Sequence, residues 1–103
     1  MPFDYGGDKM LAKFPPDSAK LSKVMMDREL LRLGIIAELD AIDLYEQLAS
    51  ATEDKMIKTV FLDIAKEEKT HVGEFLTLLL EKDEEQTKEL AKGKEEIMEL
   101  SSK

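Results

Sequence analysis

Two long stretches of this chain repeat their apolar residues with the period of an α-helix, and only a few residues separate them. At about 100° per residue, one face of the first stretch collects Leu31, Gly34, Glu38, Ala41, Ile42, Tyr45, Leu48 and Ala49. One face of the second collects Ile57, Val60, Phe61, Ile64, Glu68, His71, Phe75 and Leu78. A helical period sustained over both, with so short a connection, predicts an antiparallel pair of helices.

Local signals set the expected boundaries. Ser22 is a candidate N-cap for a first helix over about Lys23 to Ala49. Ser50-Ala51-Thr52-Glu53 has the spacing of a capping box and leads into a second helix that continues to about Glu81. Asp83 can cap a third, shorter helix, for which Gly93 is a stop signal, and Lys94 to Leu100 form one more helical piece. Residues 1–21 read as an extended arm, because Gly6-Gly7 and Pro15-Pro16 oppose regular structure. Its large apolar side chains, Phe3, Tyr5, Met10, Leu11 and Phe14, are expected to dock on another surface, a neighbouring subunit being one candidate. With 103 residues, a single all-α domain is expected. It comprises the arm, a helical hairpin over 22–82 and a C-terminal helix and tail over 83–103.

Composition narrows the chemistry. The formal net charge of −8 repels phosphate backbones and anionic membrane surfaces, so neither nucleic acid nor membrane is an expected partner. Cations are attracted instead. Cysteine is absent, which excludes disulfides, thiolate zinc sites and cysteine-held iron–sulfur clusters. The one histidine excludes a multi-histidine site made by one chain. The N-terminus has no signal-like apolar region and no stretch is long enough to span a bilayer, so a soluble, cytoplasmic protein is expected.

Three residues break the apolar stripes: Glu38 on the first helix, Glu68 and His71 on the second. Glu67 falls toward the stripe's edge, so Glu68 is the inward candidate. A buried carboxylate is costly without compensation. The helical wheel places no Lys or Arg on either face, since Arg32, Lys66 and Lys69 point elsewhere. A metal cation fills that role. Glu-x-x-His presents two donors from adjacent turns, and di-iron carboxylate bundles combine two such pairs with two further glutamates. One chain therefore carries half of such a set. Two copies bring four carboxylates to set against two ferrous ions, which makes burial tolerable.

Taken singly, each signal has a plainer explanation. A glutamate can sit at a stripe's edge, Glu-x-x-His occurs by chance, and a lone core histidine is more often simply hydrogen-bonded. Tyr45 is equally a core aromatic or a neighbour of the metal. Met25, Met26 and Met56 read as packing, and Asp83 to Glu85 as a helix start that complements the dipole. Leu33, Ile36 and Leu39 lie off the main face and imply further buried contacts.

Over about Leu30 to Leu100 the chain resembles the encapsulated ferritins, a branch of the ferritin-like superfamily. The resemblance is carried by Ile36-Ala37-Glu38-Leu39-Asp40-Ala41-Ile42-Asp43-Leu44-Tyr45-Glu46 and by Ala65-Lys66-Glu67-Glu68-Lys69-Thr70-His71-Val72-Gly73-Glu74-Phe75. It implies a ferritin-like four-helix bundle completed by dimerisation. It also implies a ferroxidase centre of two irons per dimer interface, held by Glu38, Glu68 and His71, with Tyr45 beside it. The resemblance offers Asp40 as a candidate for iron entry but leaves the entry route open, because Ala37 stands where some relatives carry an acid in that path; Leu44 stands where some carry Trp. Family membership further implies a decameric ring of dimers lodged in an encapsulin shell, which stores the oxidised iron. The tail Glu99 to Lys103 shows no clear shell-targeting peptide. Two other functions remain open on the sequence: a rubrerythrin-like peroxide reductase, against which the missing cysteines speak, and a metal-free helical assembly protein. The last expects Glu38 and Glu68 to be solvent-exposed or paired with a base.

Overall fold

The computed structural model describes residues 22–103, so the N-terminal arm lies outside the described residues. These residues form three helices: α1 (Lys23–Ala51), α2 (Lys55–Lys82) and α3 (Glu84–Ser101). The all-helical class and the antiparallel α1–α2 hairpin follow the sequence pattern. Among the described residues no helix is long and apolar enough to cross a membrane.

Each helix start is a local hydrogen-bonding solution to unsatisfied amides. Ser22 caps α1 through Oγ, which accepts from the Met25 amide at 3.2 Å. Asp83 caps α3, accepting from the Gln86 amide at 3.0 Å. The capping box expected at Ser50 to Glu53 does not form. Instead α1 runs through Ser50 to Ala51, and Asp54 Oδ1 accepts from the amides of Met56 and Ile57, both at 2.9 Å. Thr52 Oγ1 steadies the turn by accepting from the Asp54 amide at 3.1 Å. A full negative charge opposite the helix dipole outcompetes the neutral serine.

Gly93 does not end α3, which is one unbroken helix of 18 residues. Gly93 keeps ordinary helical backbone, and no atom lies within 4 Å of where its Cβ would be. A mid-helix glycine costs about 1 kcal/mol relative to alanine. Breaking the helix there would instead strand the terminal N–H and C=O groups of two pieces, so continuation wins.

The hairpin buries little on its own. Among the described residues the buried apolar set is Ile42, Ala49, Ala65 and Leu79, and no large side chain is fully buried. Leu39, Val60 and Leu62 remain about half exposed. Beyond Gln86 every residue of α3 is exposed, including Leu90, Ile97 and Leu100 on one stripe. The radius of gyration, 17.0 Å, compares with about 13 Å for a compact chain of roughly 100 residues. This open shape is not that of a self-sufficient core.

The direction of α3 is fixed at its junction with α2. Arg28 Nε donates to the Lys82 carbonyl at 2.6 Å, and Arg32 reaches the carboxylate of Asp83 at 2.9 Å. Thr87 Oγ1 donates to the Leu80 carbonyl at 2.9 Å. Asp83 is buried and serves two partners at once, the α3 amide and Arg32. Asp83→Ala is expected to lower stability by about 1–2 kcal/mol in urea at fixed protein concentration, with faster hydrogen exchange at Gln86 and Thr87. Asp83→Asn keeps the cap and is expected to lose less.

Candidate metal centre

The antiparallel register of α1 and α2 brings Glu38 level with Glu68 and His71. One turn to one side, Gly34 faces Phe75, whose ring carbons lie 3.2 Å from the ideal glycine Cβ position. About two turns to the other side, the rings of Tyr45 and Phe61 stack with centroids 6.1 Å apart and planes at 27°. The cluster thus sits in a seam bounded by an aromatic contact at each end.

Glu38, Glu68 and His71 each offer a donor atom, and these atoms all lie within 4.8 Å of one another. His71 Nδ1 is 3.4 Å from Glu38 Oε1 and 3.4 Å from Glu68 Oε2. Those distances are long for strong hydrogen bonds, and one Nδ1 proton can serve only one carboxylate at a time. They match donors arranged about a shared cation: ligands about 2.0–2.2 Å from one ion stand roughly 3–3.5 Å apart.

Burial sharpens the point. The side chains of Glu38 and Glu68 are 17% and 20% exposed. Glu38 Oε2 is buried and, among the described residues, has no hydrogen-bond partner. An anionic oxygen in that condition is costly unless a cation occupies the adjoining space. Among the described residues Arg and Lys do not supply it. Arg32 is engaged with Asp83 and Glu29, and Lys69 bridges back to Glu46 at 3.0 Å. Neither glutamate is solvent-exposed, as a metal-free assembly protein would allow, and among the described residues the one base that either approaches is His71. The residues fit a divalent metal: two hard carboxylates and one imidazole form a set suited to iron or manganese.

His71 is more open, with 42% of its side chain exposed. The donor set faces outward on that side, and among the described residues it holds three donors. Glu67 is exposed, in line with its place at the stripe's edge. Tyr45 is held by its stack on Phe61. Asp40, two residues beyond Glu38, lies about 200° around the helix and is not in the cluster. The Gly34–Phe75 approach escaped sequence reasoning. Both residues stand on the predicted apolar faces, but which pairs meet depends on the register between helices.

Fold and cluster together define an all-helical, ferritin-like protein with a carboxylate–histidine centre between two antiparallel helices. The chain belongs to the EncFtn-like family, whose model matches residues 15–94. It is 59% identical over 73 residues to a ferritin-like–encapsulin shell fusion protein of Pyrococcus furiosus, covering 71% of this chain and 21% of that protein. It is 36% identical over 74 residues to an encapsulin nanocompartment cargo protein of Myxococcus xanthus, covering 69% of this chain and 57% of that one. The chain thus spans about a fifth and just over half of the lengths of these relatives. The crystal structure of the encapsulated ferritin domain from Pyrococcus furiosus matches with a TM-score of 0.76 and 52% identity, covering 82% of this chain and 86% of that one.

Replacing Glu38 with an apolar residue separates stability from binding. Glu38→Leu is expected to raise the melting temperature of the metal-free protein, because it removes a buried unpaired acid. It is also expected to abolish stabilisation by added divalent metal. In the wild type, metal at about 100 times its Kd should add about 2.7 kcal/mol, read by thermal melts with and without a chelator.

Proposed function

We propose that this chain is a ferroxidase subunit that oxidises Fe(II) to Fe(III) with oxygen at a site of two irons shared between two copies. The observation that carries the reading is the gathering of Glu38, Glu68 and His71 around the orphaned Glu38 Oε2, in a chain with one Glu and one Glu-x-x-His. Iron is the substrate. Each ferrous ion gives up one electron to oxygen, and the metal supplies that redox chemistry. The protein's residues would bind and orient the iron: Glu68 would supply the carboxylate common to both ions, and Glu38 and His71 would complete the shell of each half.

A second copy is called for on three counts. Half of a di-iron donor set is present per chain. The outward side of His71 is open. The hairpin also leaves apolar residues uncovered on both helices, as a half-bundle does. Four carboxylates from two copies balance two ferrous ions in charge, which makes the shared interface tolerable to bury. The decameric ring rests on family resemblance. Lodging in an encapsulin shell rests on the relatives, one a shell fusion and one a nanocompartment cargo protein, and the shell as the place of iron storage rests on family resemblance.

Anaerobic loading with Fe(II) followed by oxygen tests the activity by absorbance. Wild type is expected to oxidise iron at least about 100-fold faster than Glu68→Ala or His71→Ala, the scale of losing a group that acts in the transition state. Equal rates in wild type and both variants would reject the enzyme. Mass measurement in solution with and without Fe(II) tests the shared site, with a dimer or a multiple of it expected on loading.

A further inference from the structure

Gly34 stands in the middle of α1, where alanine would make a better helix. Its backbone is ordinary helix, so conformational freedom is not what glycine contributes there. What it contributes is the missing Cβ. An ideal Cβ at this position would lie 3.2 Å from Phe75 Cδ2 and Cε2 and 3.6 Å from Cγ. Ordinary carbon–carbon contacts fall at about 3.5–4.0 Å, so a methyl group there forces the ring or the helix back by a few tenths of an ångström. The same test at Gly73 and Gly93 meets no atom within 4 Å. Gly34 is thus the one described glycine whose replacement disturbs a neighbour.

Its place along the seam gives this contact a consequence. Gly34 is one turn before Glu38, and Phe75 is one turn after His71. Helical side chains lean toward the N-terminus of their own helix. Glu38 therefore leans over the turn that holds Gly34, and Phe75 leans back toward the turn that holds His71. We infer that Gly34 and Phe75 form a positioning pair, which sets how closely the donor-bearing helices approach and so holds the Glu38 carboxylate at its distance from His71. The ring closes the seam at this end as the Tyr45–Phe61 stack does at the other. A donor set must be held within about 0.5 Å of its productive geometry, which is the scale of the displacement a methyl group imposes. Neither residue is a ligand. The inference rests on the reading of the cluster as a metal site.

The test is calorimetric titration of the full chain with Fe(II) under anaerobic conditions, paired with melting of the metal-free protein by circular dichroism. Gly34→Ala is expected to bind Fe(II) about tenfold more weakly while its metal-free melting temperature is unchanged or higher. Adding Phe75→Leu, which removes the Cε2 contact and leaves a side chain able to turn away from the added methyl group, is expected to restore most of the affinity. Wild-type affinity in Gly34→Ala overturns the positioning role, as does a loss that Phe75→Leu leaves unrelieved or one matched by a fall in helicity. A wild-type chain that binds Fe(II) no better than Glu68→Ala overturns the metal reading beneath it instead.

Discussion

The seam between α1 and α2 sets carboxylates among apolar side chains, and the structure depends on how that charge is compensated. Glu38 and Glu68 are four-fifths covered or more. The positive side chains nearby are spent elsewhere, Arg32 on Asp83 and Lys69 on Glu46. A protein that used these glutamates only as surface acids would have let them turn to water, since an exposed carboxylate is fully solvated and a covered one is not. Holding them inward next to a single imidazole is a cost to the isolated hairpin, and under the proposed function a bound divalent cation would turn that cost into binding energy coupled to folding.

The openness of the chain is consistent with the same reading. A three-helix chain of this size could wrap its third helix across the hairpin and close a core. Here α3 leaves the hairpin instead, its start fixed by Asp83, Arg28 and Arg32, and its apolar stripe faces outward. Among the described residues nothing covers the side of the hairpin that carries His71, whose side chain is 42% exposed. An arrangement that withholds its own helix from its own site is physically sensible when the remaining donors come from another molecule, because a covering α3 would block them.

Short side chains govern the seam as much as ligands do. Ala49 and Ala65 are among the few buried residues, and Gly34 admits the Phe75 ring to within a tight contact. Two helices can bring carboxylate and imidazole to 3.4 Å only if the residues between them take up little room. Ligand chemistry and helix spacing are therefore one requirement seen at two scales.

The sequence by itself determined a good deal. A 3.6-residue period names the helices and the faces they bury, and polar residues inside an apolar stripe mark themselves without any coordinates. Glu38, Glu68 and His71 were legible for that reason, as were the caps at Ser22 and Asp83, which are local interactions along the chain. Capping misled where two local solutions competed, so Asp54 rather than Ser50 starts α2, and Gly93 continues a helix it was expected to end. Tertiary structure alone decided which faces meet and at what register. That choice brings Phe75 against Gly34, stacks Tyr45 on Phe61, gives Arg32 to Asp83 and leaves Glu38 Oε2 without a partner. Such contacts join residues tens of positions apart, and their energies depend on distances between helices, which no periodicity along one helix encodes.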